Sequence, residues 1–319
     1  MKKKKKWLKI MIGIISVLLI IDIIASFYFY NLAINRGPKD FLQGNQDLEV
    51  SAEAMNVFTE GGWREWVDNQ DFEVWELNSY DDLKLEGYFL KAKEPTNKTV
   101  VLAHGYLGNA RQMGLYGQYY YEELGYNIFM PDSRGHGQSE GDYIGFGWHD
   151  RLDYVDWLDQ VNERVGPDTE IVMHGVSMGA AAVLMASGEK LPANVKAIVA
   201  DSPYTSVNDM FAYQMNRMYK LPTFPILPST SAVTKVQAGY SLTEASALDQ
   251  VKEAEVPILY IHGNSDTFVP TSMAEELYEN TKSEAEIIIF DHAGHGEAFV
   301  LEEERYMEKV IEFLNQYVK

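Results

Sequence analysis

With 319 residues the chain has room for one large domain or two, and 46% apolar residues are enough for a substantial core, which excludes global disorder. It contains no cysteine, so a disulfide framework and a thiolate metal site are both ruled out. The net charge of −20 is unevenly spread: the first 34 residues carry six lysines and one aspartate, leaving −25 on the remainder, a field that repels nucleic acid and argues against phosphate-backbone binding.

Lys2 to Lys6 and Lys9 precede Ile10 to Tyr30, a run of 21 residues broken only by Gly13, Ser16, Asp22 and Ser26. At about 1.5 Å per residue such a helix crosses the roughly 30 Å hydrocarbon core of a bilayer. The lysines belong on the cytoplasmic side, so residues 1–34 are expected to be a single-pass signal anchor in the cell membrane with the rest of the chain outside. The alternative is a secreted protein released by signal cleavage, but bulky Phe27 to Tyr30 crowd the place where a small-residue cleavage site should stand. Asp22 costs up to about 3 kcal/mol near the helix centre unless it lies shallow or finds a partner. Residues 35–70 are polar and weakly periodic and read as a linker, with a short helix within Ser51 to Val67 and with Trp63 and Trp66 as packing residues.

The body is expected over residues 71–319. Phe72 to Leu77 and Leu83 to Lys91 alternate apolar and polar positions around the turn at residues 78–82, as an antiparallel hairpin does. Thr99 to Ala103 is a buried strand ending in His104-Gly105-Tyr106-Leu107-Gly108, followed by a helix over residues 110–124. Tyr126 to Met130 is another buried strand, leading into Arg134-Gly135-His136-Gly137, and a helix over residues 150–164 follows. Next comes IVMHGVSMGAAAVLMA, Ile171 to Ala186, in which Gly175-Val176-Ser177-Met178-Gly179 joins a buried run to a small-residue helix. Glycines two before and two after the serine let strand and helix approach closely and lift the hydroxyl to the strand's end. Val195 to Ala200 is a further strand, ending at Asp201; residues 203–250 are too many for a plain connection and predict a small lid, apolar at Met210, Phe211, Met215 and Met218. Val256 to Ile261 leads into His262-Gly263-Asn264-Ser265-Asp266, and Ile287 to Phe290 into Asp291-His292-Ala293-Gly294-His295-Gly296. A long amphipathic helix over residues 297–317 closes the chain, with Phe299, Met307, Val310, Phe313 and Leu314 inward. Strands alternating with helices predict parallel pairing and a doubly wound sheet, whose ligands bind beyond the carboxyl ends of the strands.

Ser177, Asp266 and His295, in that chain order and each on a loop after an apolar strand, resemble the α/β-hydrolase superfamily over about the last four-fifths of the chain. The resemblance implies an α/β fold with a mostly parallel eight-stranded sheet and a lid insertion. It implies Ser177 as nucleophile, His295 as general base and Asp266 as the acid that orients the imidazole. It further implies an oxyanion hole from the amides of Met178 and Tyr106. Three competitors stand beside these residues: His292 for the base, Asp201 for the acid, and His136, which the resemblance makes a supporting residue of its turn. Serine at the elbow rather than aspartate argues against the dehalogenase and epoxide-hydrolase branches.

The expected activity is hydrolysis of a carboxylic ester through an acyl-enzyme, on a small-molecule acyl ester or peptide-like substrate. A serine peptidase or amidase and an acyltransferase are alternatives on the same triad, since the body also resembles prolyl-oligopeptidase-type hydrolase domains. The alternative of another class is a membrane-tethered binding protein with a degenerate hydrolase body. No cofactor is expected, and the histidines show no spacing for a metal.

Overall fold

The computed structural model describes residues 2–39 and 51–319, so the part of the expected linker between them lies outside the described residues. Its centre is one eight-stranded sheet: β1 (Glu73–Asn78), β2 (Lys84–Leu90), β3 (Lys98–Ala103), β4 (Asn127–Pro131), β5 (Glu170–Val176), β6 (Val195–Asp201), β7 (Ile258–Gly263) and β8 (Ala285–Phe290). The spatial order is β1-β2-β4-β3-β5-β6-β7-β8. Pairs β1–β2 and β2–β4 are antiparallel, and every later pair is parallel.

The central strands are buried on both faces, and their alternate residues feed two cores. Val101, Phe129, Met173 and Ile198 join Trp75, Trp157 and the serine-elbow helix Met178–Ser187 on one side. Val100, Ile128, Val172 and Val199 join Tyr116, Tyr120, Phe299, Tyr306 and Phe313 on the other. Trp63 and Trp66, on the short helix Trp63–Asp68, pack into this second core.

Two helical expectations need correction. The helix expected over residues 110–124 begins as a 3-10 turn, Ala110–Met113, before the α-helix Gly114–Glu122. The C-terminal helix expected over residues 297–317 is two helices, Ala298–Leu301 and Glu303–Leu314, separated by Glu302 at φ −138° and ψ 53°. All five predicted inward residues are buried on either side of the break.

The stretch read as a linker makes contacts with the body at its described start. After the N-terminal helix Lys2–Phe29 the chain makes a π-helical turn, Tyr30–Ile34, which buries Tyr30 and Ile34. Arg36 then donates to the carbonyls of Ser139 (2.8 Å), Gly137 (3.0 Å) and Gly141 (3.2 Å) on the loop after β4. The span Lys3–Ile34 is long and apolar enough to cross a membrane. Its large apolar side chains from Ile10 to Ile24 are 43–63% exposed, whereas Ser26 is fully buried. Asp22 has a partner: Ser229 donates its hydroxyl to Asp22 Oδ2 at 2.6 Å. Ser229 lies on the helix Ile226–Ala238, which together with Val207–Tyr219 and Ala247–Val251 makes up the insertion between β6 and β7.

One buried ion cluster fixes the loop after β4. Arg134, with no exposed side chain, donates through Nε and Nη2 to the two oxygens of Asp153, each at 2.7 Å, and through Nη1 to Asp81 at 2.9 Å. Burial raises the Asp153 carboxyl to about 7 even though Arg134 opposes that shift. Arg134→Met should therefore leave Asp153 to take up a proton, remove the donor that Asp153 and Asp81 share, and cost about 3 kcal/mol, read as a fall in the denaturant midpoint with an unchanged m-value.

Candidate active site

The serine elbow follows from its small residues. A side chain on Gly175 would collide with the carbonyl of Gly179, and one on Gly179 with the carbonyl of Ala103, so strand β5, its helix and β3 meet only because both are glycine. Ser177 itself is held at φ 55° and ψ −115°, a sparsely populated conformation that a non-glycine residue adopts only when its surroundings enforce it. Its amide donates to Asp201 O at 2.8 Å, which ties the elbow to the end of β6. Met178 is the first residue of the helix, so its N–H has no acceptor within that helix.

The loops after β5, β7 and β8 bring Ser177, Asp266 and His295 together. His295 Nε2 lies 2.8 Å from Ser177 Oγ, and His295 Nδ1 lies 2.7 Å from Asp266 Oδ2. The other carboxylate oxygen, Asp266 Oδ1, accepts from the amides of Phe268 (2.9 Å) and Val269 (2.8 Å). His262 Nε2 also approaches Asp266 Oδ2, at 3.1 Å. Burial favours a protonated Asp266, but His295 and His262 outweigh it and hold the carboxyl well below its usual range. Burial likewise lowers His295, and the charge of Asp266 more than reverses this, so the imidazole titrates above its ordinary value.

Two of the competing residues are turned elsewhere. Asp201 accepts from Ser202 Oγ (2.9 Å) and Tyr306 OH (3.0 Å), and burial raises its carboxyl. His292 sits at φ 65° with its amide donating to Asn264 Oδ1 at 2.8 Å, pinning the β8 turn to the β7 turn.

The loop after β3 is set by two neutral histidines. Ser133 N donates to His104 Nε2 (3.0 Å), which leaves the ring proton on Nδ1 to reach Gly105 O (2.8 Å). Leu107 N likewise donates to His136 Nε2 (3.3 Å), whose Nδ1 faces Arg134 O at 3.0 Å. Burial lowers His104 to about 3 and lowers His136 as well, so neither ring carries charge beside the site at neutral pH. Tyr106 lies between them in sequence and borders the cleft beside Ser177 and Met178, its ring stacked on Phe146 at 5.2 Å.

Sequence reasoning missed two supports of the histidine loop. Buried Glu297 accepts from Gly294 N at 2.8 Å and from Ser51 N at 2.5 Å. Ser202 Oγ accepts from Gly296 N at 3.3 Å while donating to Asp201. The only signal for Glu297 was an acidic residue directly after His295-Gly296, too common a pattern to single out.

Two clefts meet at Ser177. One runs between the insertion and the end of the N-terminal helix, and none of the described residues lining it is charged. The other carries Arg64, Gln112, His104 and His295. Among the described residues no group of acidic and histidine side chains could hold a metal ion.

This sheet order, with a strained serine at the β5 elbow, defines an α/β-hydrolase, and the chain belongs to that superfamily. The serine aminopeptidase (S33) family model matches residues 94–230, and the dienelactone hydrolase family model matches residues 225–318. Among relatives, the uncharacterized protein YqkD of Bacillus subtilis is 28% identical over 250 residues, covering 77% of this chain and 82% of the relative. The uncharacterized membrane protein YNL320W of Saccharomyces cerevisiae is 24% identical over 264 residues, covering 79% and 84%. The esterase Pf2001 of Pyrococcus furiosus shares the fold with a TM-score of 0.64 at 24% identity, covering 80% of this chain and 96% of that one.

Proposed function

We propose that the chain is a serine hydrolase that cleaves a carboxylic ester through an acyl-enzyme, with Ser177, His295 and Asp266 as its triad. The observation that carries this reading is the His295 imidazole, bonded to Ser177 Oγ on one side and Asp266 Oδ2 on the other. In the first half-reaction Ser177 Oγ attacks the acyl carbon as its proton moves to His295 Nε2. The carbonyl oxygen takes the negative charge beside the Met178 and Tyr106 amides, each such donor supplying about 3 kcal/mol of transition-state stabilisation. The ester C–O bond then breaks, and His295 returns the proton to the departing alcohol. Water repeats the sequence on the acyl-enzyme, giving the acid and free Ser177. Asp266 stays ionised throughout, stabilising the imidazolium and fixing Nδ1 as the protonated nitrogen.

The uncharged cleft favours an ester over the aminopeptidase alternative that the family model's name raises, because a free α-amine needs an acidic partner and none of the described lining residues supplies one. The acyl group occupies this cleft, and the alcohol leaves through the second, more polar one. The Lys3–Ile34 span acts as an uncleaved signal anchor, with residues 71–319 as the catalytic domain on the outer face of the membrane.

A kinetic comparison of matched acyl esters and aminoacyl amides, run as a pH series, tests the reading. Esters should have the higher kcat/KM. Because a neutral imidazole is the base and Asp266 raises its pKa, activity should climb with pH along a limb centred above the ordinary 6.5 of histidine. Preference for the amides, or a limb centred below 6, would contradict it.

A further inference from the structure

Resting on the serine-hydrolase reading, we infer that the substrate is an ester whose long acyl chain is drawn from the bilayer, and that the membrane helix is itself one wall of the acyl cleft. Phe29, Leu32 and Ala33, at the end of the membrane span, line the same cleft as Ser177. Phe211, Met215 and Leu227 of the insertion form the facing wall. The helix end is fixed in this position. Tyr106 donates its hydroxyl to Ala33 O at 2.8 Å, Phe29 meets Tyr219 edge to face at 5.4 Å, and Ser229 holds Asp22. A helix that served only as a tether would need none of these bonds.

Depth along the helix supplies the direction of entry. The stretch Ile10 to Ile24, apolar and exposed, is only about 22 Å long at 1.5 Å per residue, short of the roughly 30 Å that a bilayer core needs. The next turns, which pack against the insertion, must therefore lie within the outer leaflet. Their outward side chains fit that setting: Phe27 is 44% and Tyr28 54% exposed. Ser229 meets the N-terminal helix at Asp22, inside the exposed apolar stretch, and shortly before Ser229 the insertion presents Phe224, 76% exposed. The mouth of the cleft thus opens at lipid depth, between two apolar walls. A long acyl chain passes from the bilayer to Ser177 along uncharged surface without crossing water, and its ester carbonyl stops at the polar boundary where Ser177 and the second cleft lie.

The test uses full-length protein in phosphatidylcholine vesicles, with three 4-methylumbelliferyl esters as probes: the palmitate held in the bilayer, and the octanoate and acetate in solution. Wild type should favour the palmitate in kcat/KM. Ala33→Trp, which fills the cleft from the helix side, should cut the palmitate-to-acetate ratio at least tenfold. Phe224→Asp, on the surface, should lower the palmitate-to-octanoate ratio severalfold and decides the matter where the tryptophan variant does not fold. Ratios unmoved by Phe224→Asp, or a wild type that prefers the soluble octanoate, would overturn bilayer entry. Both results still allow Ser177 to react with a fluorophosphonate, in which case the hydrolase reading survives the loss of this inference. Absence of that labelling in wild type removes both.

Discussion

Replacing Ser177 with alanine is expected to lower kcat/KM on an ester by about 10⁴-fold or more, since loss of a triad serine costs on the order of 10⁶ in kcat in a well-measured case. The variant keeps the Cβ, so the contacts of the elbow change little. Its far-ultraviolet circular dichroism and denaturant midpoint should match those of wild type. What it loses is the hydroxyl 2.8 Å from His295 Nε2, and with it the covalent route. A residual rate above that in water would come from the oxyanion amides and substrate binding alone.

Asp266→Asn should cost about 10⁴-fold in kcat while leaving the geometry intact. Asp266 accepts on both oxygens: Oδ1 from the amides of Phe268 and Val269, and Oδ2 from the His295 ring. An asparagine must keep its carbonyl oxygen toward the two amides, which turns its NH₂ toward His295 Nδ1. The imidazole then protonates on Nε2 and can no longer take the serine proton. Loss of the carboxylate also removes the charge that raises His295, so the acidic limb of the pH profile should move to lower pH. Asp201→Asn is the control. Asp201 bonds Ser202 and Tyr306 rather than His295 and raises the imidazole less than Asp266 does, so a much smaller loss with a smaller shift of the limb is expected. Equal losses from the two variants would assign the acid role wrongly.

Much of the fold was legible because its central strands are buried on both faces and so read as unbroken apolar runs, several of them closed by a glycine-bearing turn. Parallel pairing was expected from the alternation of strands with helices and the eight-stranded sheet from the family resemblance, and both are observed. The same turns marked Ser177, Asp266 and His295, since a sheet of this topology gathers its carboxyl-end loops at one rim.

Features that depend on contacts between distant elements were not legible. The 21-residue apolar run shows its length but not that Phe29, or Ala33 just beyond it, would line the cleft with the insertion, because a run that is apolar all round carries no periodic mark of a packed face. The break at Glu302 falls inside a continuous helical pattern, and the apolar residues on both sides of it pack into the same core, so their spacing carries no mark of it. Glu297 and Ser202, which brace the histidine loop, act through backbone amides that leave no trace in side-chain spacing.

The central claim is that Ser177 is a nucleophile activated by His295. It is tested most directly by treating the folded, full-length protein with a fluorophosphonate and mapping the modified peptide. A single adduct on Ser177, absent from Ser177→Ala and formed faster as pH rises toward neutrality and above, is the predicted result. A folded protein that takes up no label, or takes it up equally after Ser177→Ala, would contradict it.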